Sequence, residues 1–171
     1  EYQWSPDGKW FTLCFIGNKH DPYSDIGIVS AQGGKITNLT NSGYTSGSPA
    51  WTLDGNAILF TSERYGMRNH ASWGSMEDVF LCFVNQDAYD KYRLSKEDYE
   101  LLKEVEKEQE KLKKDAKKAD DKKDDKKDNA KDIVIDFDGI QDRIVRLTPN
   151  SSSLGSAIIE KKGENLYYTA S

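Results

Sequence analysis

The sequence of 171 residues contains only two cysteines, four prolines and two histidines, and it has no long apolar run. A membrane-spanning helix needs about 20 consecutive apolar residues, so none is predicted. Two cysteines are too few for a disulfide-rich secreted scaffold, and we expect Cys14 and Cys82, each within an apolar segment, to be buried free thiols rather than a disulfide. Basic residues are not in excess, since the net charge is −5, which argues against nucleic acid as the main partner.

Charge is abundant, at 31% of residues, but it is concentrated in one segment. Residues 91–132 hold 15 lysines or arginines and 14 acidic residues. Ser95 is predicted to cap a helix, with Asp98 at the capping-box position, and the tract 117–128 is expected to be frayed or disordered because it has no apolar face. We interpret the segment as a solvated insertion in preference to a docking arm for a partner.

A five-residue pattern recurs along the rest of the chain, as WSPDG at 4–8, WTLDG at 51–55 and, in a worn form, IEKKG at 159–163. A Leu-Thr pair ends 11 residues before the first position of both the second and the third copy. The five-residue pattern and the Leu-Thr pair therefore indicate the same alignment of the repeats. Self-similarity at a fixed period is the sequence signature of repeat architectures.

Each repeat predicts a meander of short strands. The expected strands lie near 2–4, 9–16, 25–30, 35–40, 48–52, 57–62, 78–84, 143–148, 156–160 and 165–170. Four-stranded units that repeat every 40–50 residues are typical of β-propeller blades, so the predicted fold class is all-β. The expected blades are 1–47, 48–148 (interrupted by a charged helical or disordered insertion at 88–132) and a partial blade at 149–171. Because propellers close with about 4–8 blades, we expect these residues to be part of a larger propeller.

The turn after the first strand has a clear chemical basis. Pro6 presets φ, the Asp7 side chain can accept a hydrogen bond from nearby backbone, and Gly8 can adopt positive φ. Trp4 and Trp51, which precede the two turns, are predicted to pack between blades rather than to bind a ligand.

The best candidate site lies on one rim of the predicted propeller. Meander geometry brings the loops between second and third strands to the same rim as the connections between blades. His20 and His70 occupy equivalent loops of neighbouring blades, and Arg64, Arg68 and Trp73 accompany His70. These residues are predicted to contact peptide or a neighbouring domain, with loop structure alone as the competing interpretation.

No catalytic, cofactor-binding or metal-ligating residues are predicted. The loop 63–75 contains serine, histidine and acids, but it has no nucleophile elbow. Two histidines 50 residues apart, without clustered cysteine, do not have the spacing of a zinc site. Gly33 and Gly34 are predicted to form a hairpin turn rather than a loop that binds phosphate.

Several motifs resemble the propeller repeats of tricorn-type proteases and their TolB-like or WD-repeat-like relatives. The blade motifs are WSPDGKW, SDIGIV, GGKITNLT, SPAWTLDG and AILFTSERYG. The more specific segment is IDFDGIQDRIVRL at 135–147, which follows a charged insertion and is similar to the I-D-F-x-x-I-x-x-R-[IV] segment of tricorn propellers. The resemblance covers essentially the whole chain.

The resemblance implies a serine peptidase whose propellers are a scaffold and a filter for peptides, with a PDZ domain and a catalytic core elsewhere in the protein. None of the catalytic motifs maps onto these residues. The implied partners are the remaining blades, the catalytic domains and peptides, in a homo-oligomer, with no nucleic acid, membrane or cofactor. The implied compartment is the cytoplasm, with the periplasm as the alternative.

Two other classes remain open at this point. A TolB-like module would bind a protein partner and have no catalytic core. A prolyl-oligopeptidase-like enzyme would carry an α/β-hydrolase domain with a G-x-S-x-G elbow. The IDF segment favours the tricorn-type interpretation.

Overall fold

A computed structural model of the chain describes residues 1–17, 21–68, 74–118, 132–161 and 163–171. Within these residues the strands are β1 (Tyr2–Trp4), β2 (Trp10–Phe15), β3 (Asp25–Ser30), β4 (Thr37–Asn38), β5 (Ser46–Thr52), β6 (Ala57–Ser62), β7 (Asp78–Phe83), β8 (Ile144–Arg146), β9 (Leu154–Ile159) and β10 (Leu166–Ala170). The α-helices are α1 (Gln86–Tyr92) and α2 (Lys96–Lys118), and short 3-10 turns cover Leu53–Gly55 and Ile140–Arg143.

The strands form antiparallel meanders. One four-stranded sheet has the order β1-β2-β3-β4, a second has the order β5-β6-β7-β8, and β9 pairs with β10. The two predicted four-stranded meanders are therefore confirmed, whereas the number of blades in a closed propeller stays a prediction. The chain divides into two compact units, one comprising Glu1–Ala88 and Ala130–Ser171 and the other Tyr89–Asn129.

The core lies between the two four-stranded sheets. Strand β5 packs against β1, β2 and β3 of the first sheet, and every residue of β7 is buried. The shared core consists of branched and aromatic side chains, which suit a pleated surface. Its main buried members are Ile26, Ile28, Leu39, Ile58, Phe60, Phe80, Cys82, Val84 and Ile140. Strands with apolar residues on both faces therefore lie where neighbouring elements cover both faces.

The tryptophans at the repeat positions differ in environment. Trp51 is half-buried and packs on the core, and its backbone N–H donates to Gln3 of the first sheet at 2.5 Å. Trp4 is 51% exposed, and its ring lies 3.7 Å from the ring of Phe11 within its own sheet. The predicted packing between sheets therefore holds for Trp51, while Trp4 contacts its own sheet.

The turn between β1 and β2 has the predicted chemistry. Gly8 has φ of +70°, and Asp7 Oδ1 accepts a hydrogen bond from the Lys9 N–H at 3.1 Å. Asp7 Oδ2 also accepts from the N–H of Ile133 at 2.9 Å. The first turn therefore holds the segment that returns from the insertion, a contact 126 residues away in sequence.

The equivalent turn between β5 and β6 has a different backbone. Leu53 and Asp54 have φ of +51° and +53°, and Gly55 has φ of +88°. A proline such as Pro6 cannot adopt positive φ. At Gly55 a Cβ atom would lie 2.4 Å from the side chain of Ile133, so the return segment also requires glycine here.

The side chain of Arg143 holds the IDF segment in place through hydrogen bonds. Its guanidinium is buried, at 3% exposure for the residue, and donates to the carbonyls of Phe83 (3.2 Å), Asp138 (2.9 Å) and Asp136, and to the side chain of Gln86 (3.5 Å). Phe83 and Gln86 lie where the chain leaves the second sheet, and Asp136 and Asp138 lie where it returns. One arginine therefore joins the two ends of the insertion.

The segment that returns from the insertion, residues 133–140, makes apolar contacts in addition to the hydrogen bonds of Arg143. The Asp136 N–H donates to the carbonyl of Val84 at 2.8 Å. Phe137 contacts the ring of Trp10 of the first sheet edge-on at 5.8 Å, and Ile140 is buried in the core. The isoleucine and phenylalanine of the motif thus fasten the segment to both sheets.

Two helices lie in or next to the predicted insertion at 88–132, whose limits stay a prediction. Helix α1 starts at Gln86, because its N–H donates to the side chain of Asp136 at 2.8 Å. The predicted cap of α2 is confirmed, since Ser95 Oγ accepts from the Asp98 N–H at 3.1 Å and donates to the Asp98 carboxylate at 2.7 Å. Residues 119–131, which include most of the tract predicted to be disordered, lie outside the described residues.

The cysteines are free thiols with unequal burial. Cys82 is fully buried, and burial raises the pKa of its thiol to about 12. Cys14 is only partly buried, so the expectation that both are buried is wrong for Cys14. The part of the chain that the structure describes includes no helix long and apolar enough to cross a membrane.

We predict that Arg143→Ala lowers the free energy of unfolding by about 2–4 kcal/mol, because one buried and two partly buried carbonyls lose a charged donor. Urea denaturation measures the change. Arg93→Ala, at an exposed position, is the matched control and should change the free energy by less than about 0.5 kcal/mol. Equal effects of the two substitutions would contradict the role of Arg143.

Candidate functional site

A rim forms at the end of the sheets where β2 leads to β3 and β6 leads to β7. The connections between sheets meet these loops through backbone hydrogen bonds. The Ser46 N–H donates to the Ser24 carbonyl at 2.8 Å, and Glu77 and Ser152 donate to each other's carbonyls at 2.8 and 3.1 Å. In the described residues, backbone hydrogen bonds therefore join both kinds of loop at this rim.

Two buried aspartates at the first residue of β3 and of β7 hold this rim. Asp25 Oδ1 accepts from Thr40 Oγ1 at 2.7 Å and from the Ser42 N–H at 3.0 Å. The same threonine oxygen accepts from the Ile26 N–H at 3.1 Å. Asp25 is 2% exposed, so these bonds satisfy a carboxylate that water does not reach.

The second sheet repeats this arrangement across the insertion. Asp78, which is 0% exposed, accepts from Thr148 Oγ1 at 2.7 Å and from Ser151 Oγ at 2.7 Å. Thr148 Oγ1 accepts from the Val79 N–H at 3.2 Å. Arg146 adds an ion pair to Asp78 at 2.8 Å. The sequence repeats contain both aspartates and both threonines, but their pairing was not predicted.

Arg68, one of the predicted site residues, connects the two sheets at the rim. Its guanidinium lies over the rings of Tyr23 (5.2 Å) and Tyr44 (5.4 Å). It also donates to the hydroxyl of Tyr23 at 3.3 Å and forms an ion pair with Glu63 at 3.1 Å. Arg68 is therefore mainly a structural cation, since its charge and planar face already have partners.

Glu63 completes this cluster. Its carboxylate accepts hydrogen bonds from Ser75 Oγ and from the Thr45 N–H, the latter at 3.2 Å. Burial by itself raises the pKa of Glu63, but the hydrogen bonds from Ser75 and Thr45 and the charge of Arg68 outweigh it, so the pKa lies below its ordinary value. Ser75 is thus a hydrogen-bond donor to the Glu63 carboxylate.

Arg64, the other described member of the predicted set, is exposed. Its guanidinium lies 5.6 Å from the ring centre of Tyr65, and no ion pair joins it to any other described residue. Arg146 lies 5.4 Å from the same ring. Arg68 and Arg146 form ion pairs with carboxylates, whereas Arg64 has no carboxylate partner in the part of the chain that the structure describes.

His20, His70 and Trp73 lie outside the described residues, so their part in the site stays a prediction. In the described ranges, no group of three or more potential metal-ligating side chains comes together.

A cavity of about 370 Å³ opens beside β5, β6 and β9. Hydroxyl groups, backbone, two carboxylates and several apolar side chains line it, and its residues include Glu1, Ser46, Ser48, Phe60, Glu77 and Leu154. Strand β5 is irregular here, because its register shifts between Gly47 and Ala50 and Ser48 has φ of +52°. Irregularities of this kind change the direction in which side chains point.

Glu77 gives the cavity its electrostatic character. Burial, and secondarily the charge of Glu63, raise the pKa of Glu77 above its ordinary value. The Glu1 carboxylate accepts from the Ser48 N–H at 3.0 Å. The cavity can therefore accept hydrogen bonds from amide or ammonium donors, whereas Arg64 on the rim suits a carboxylate.

Comparisons with known proteins give partial matches. The uncharacterized peptidase YuxL of Bacillus subtilis is 39% identical over 59 residues, which are 34% of this chain and 9% of that protein. The uncharacterized protein Atu1656 of Agrobacterium fabrum is 40% identical over 63 residues, 37% of this chain and 20% of that protein. The chain thus spans at most a fifth of the length of these curated relatives. No protein-family model matches it.

The crystal structure of the tricorn protease superposes with a TM-score of 0.51 at 10% identity, covering 92% of this chain and 14% of that one. At this identity the likeness concerns the fold alone. The chain therefore has, at a coarse level, a propeller-like fold related to that of a protease.

We predict opposite pH-dependent effects for two glutamates of the rim. The lowered pKa of Glu63 means that its carboxylate stabilises the fold above the unfolded pKa and loses this effect as the pH falls through the folded pKa. The raised pKa of Glu77 means that its carboxylate destabilises the fold at neutral pH. Glu63→Gln should therefore lower the free energy of unfolding at pH 7, and Glu77→Gln should raise it.

Urea denaturation of both variants between pH 7 and about pH 3 tests this prediction. The Glu77→Gln difference should shrink as the pH falls from the raised folded pKa of Glu77 to the ordinary value of a glutamate. The Glu63→Gln difference should shrink only below that ordinary value, as the pH falls through the lowered folded pKa of Glu63. Effects of the same sign at pH 7 would contradict the electrostatic description of the rim.

Proposed function

We propose that the chain is a non-catalytic propeller segment of a tricorn-like serine peptidase, with residues 1–47, 48–148 and 149–171 as successive blades. The observation that carries this proposal is the likeness to the tricorn protease over 92% of the chain, together with the repeated four-stranded meanders. The local similarity to an uncharacterized peptidase supports the same class. In this proposal the segment acts as a scaffold and a filter for peptides.

The rim and the cavity supply the chemistry of such a filter. Arg64 offers an exposed cation without a carboxylate partner among the described residues, and Glu77 offers a carboxylate in the cavity. Hydroxyl and backbone groups between them can bond to a peptide main chain without selecting side chains. A surface of this composition passes peptides by their backbone and termini rather than by their sequence.

The partners follow from the same proposal. The remaining blades and the catalytic domains of a longer protein would cover the sheet faces, and peptides would pass the rim. We further propose that the longer protein is a homo-oligomer in the cytoplasm, with the periplasm as the alternative. No cofactor is required for the proposed role.

We predict that the full-length protein hydrolyses short fluorogenic peptides and that the 171-residue chain does not. Fluorescence assays of both proteins at equal molar concentration measure this. Hydrolysis by the chain alone would refute the non-catalytic role and would make Ser72, Ser75 and His70 the first residues to substitute. If neither protein hydrolyses peptides, the peptidase proposal fails and a TolB-like protein-binding module takes its place.

We also predict a role for Arg64 in peptide entry. In the full-length protein, Arg64→Ala should lower kcat/KM for peptides with a free C-terminal carboxylate by up to about fivefold, since exposed ion pairs contribute at most about 1 kcal/mol. Peptides with an amidated C-terminus should be unaffected. Lys35→Ala, an exposed cation of the β3–β4 turn at the opposite rim, is the control. An equal loss for both kinds of peptide would contradict recognition of the carboxylate.

A further inference from the structure

The cavity beside β5, β6 and β9 contains a carboxylate whose charge is not compensated. The charged side chains that line it are Glu1 and Glu77, and among the described residues no lysine or arginine side chain lines it. The Glu1 carboxylate accepts a hydrogen bond from the Ser48 N–H at 3.0 Å. In the part of the chain that the structure describes, no group donates a hydrogen bond to the Glu77 carboxylate or forms an ion pair with it.

The backbone of Glu77 is nevertheless held firmly in place. Its N–H donates to the Ser152 carbonyl at 2.8 Å, and its own carbonyl accepts from the Ser152 N–H at 3.1 Å. The next residue, Asp78, begins β7 and is 0% exposed. The Glu77 side chain therefore extends to the cavity wall from a rigid part of the fold, as the groups of a preorganised binding site do.

The neighbouring Glu63 shows how unusual the surroundings of Glu77 are. Glu63 accepts hydrogen bonds from Ser75 and Thr45 and pairs with Arg68, and these partners lower its pKa. Burial and the charge of Glu63 raise the pKa of Glu77 instead. A partly buried carboxylate without a partner costs free energy, and groups of this kind are concentrated at functional sites. A cation bound in the cavity would supply the missing partner.

The size and the lining of the cavity indicate which kind of cation fits. Its volume of about 370 Å³ lies in the range of sites for small organic molecules and is far larger than a metal ion requires. Leu59, Phe60 and Leu154 provide apolar walls, and the backbone pairing of β5 with β6 is interrupted between Gly47 and Ala50. A carboxylate beside apolar walls and irregular backbone suits an ammonium group that carries an organic chain.

We propose that the cavity binds a primary ammonium group of a peptide, with the Glu77 carboxylate as its acceptor. An ammonium group has three donors. One of them makes a charge-assisted hydrogen bond to the carboxylate, and hydroxyl and carbonyl oxygens of the lining residues accept the others. The amino terminus of a peptide and the side chain of a lysine both carry this group. Because the ligand is a peptide, this inference rests on the proposed function.

Binding of three short peptides to the 171-residue chain tests the proposal. The probes are Ala-Leu-Ala amide, its acetylated form, and acetyl-Ala-Lys-Ala amide, so that no probe has a carboxylate for Arg64. The chain is produced with an acetylated amino terminus, because the ammonium group of Glu1 acts on Cys14 of the same cavity and would compete with the probe. Titrations followed by the backbone amide signals in NMR spectra give the dissociation constants.

We expect Ala-Leu-Ala amide to bind in the millimolar range and to shift the amide signals of Gly47 and Gly155 at the cavity. The acetylated peptide should bind at least about tenfold more weakly, because it lacks the charged donor. Glu77→Gln should weaken binding of Ala-Leu-Ala amide by a similar factor. The control Glu104→Gln removes an exposed carboxylate of α2 and should change binding by less than about twofold. The NMR spectra also show whether each variant is folded.

The lysine peptide identifies the source of the ammonium group. Binding as tight as that of Ala-Leu-Ala amide would support a site for any primary ammonium group, and weak binding would support a site for the amino terminus. Equal binding of the free and acetylated peptides would overturn the proposal, as would unchanged binding to Glu77→Gln or the absence of binding at about 20 mM peptide.

The outcome is separable from that of the proposed function. The titrations need no hydrolysis, so the ammonium site can be confirmed even if the full-length protein does not hydrolyse peptides. Conversely, hydrolysis by the full-length protein together with equal binding of free and acetylated peptides would support the peptidase and refute the ammonium site.

Discussion

The structure depends first on the buried carboxylate at the start of the third strand of each four-stranded sheet. Asp25 and Asp78 each bind the hydroxyl of a threonine beyond the fourth strand, Thr40 or Thr148. A buried carboxylate without such donors would cost several kcal/mol. In each sheet the aspartate–threonine pair therefore fixes where the outer strand ends and where the chain turns toward the next sheet. The rim, with its arginines and its cavity, follows from these two fixed points.

The same constraint makes a long insertion compatible with the second sheet. Asp25 and Thr40 are 15 residues apart, whereas Asp78 and Thr148 are 70 residues apart, and yet the two pairs have the same geometry. Arg143 closes the base of the insertion by binding carbonyls on both sides of it. Because the entropic cost of closing a loop rises only slowly with its length, a few well-placed bonds suffice to keep the sheet intact.

The strands could be predicted from the sequence because repeat anchors and apolar segments coincide. The outer strands are shorter than predicted: β4 covers only Thr37–Asn38 and β8 only Ile144–Arg146. Each has a pairing partner on one side alone, and residues 140–143 form a 3-10 turn. The role of Arg68 could not be predicted, because its partners Tyr23 and Tyr44 come from separate loops whose proximity is a product of the fold. The aspartate–threonine pairs could have been predicted, because both residues occur at equivalent positions in both repeats.

The two turns that follow the first strands also bear on how the repeats are related. Their sequences look alike, but Pro6 requires negative φ while its counterpart Leu53 has φ of +51°. The Leu53 side chain also packs against the third repeat, because a Cβ atom added to Gly163 would lie only 2.8 Å from it. Copying the turn of the first repeat into the second would put proline at position 53 and break this turn. The repeats have thus become specialised parts, and a designer who wished to extend the array would have to copy pairs of neighbours rather than single units.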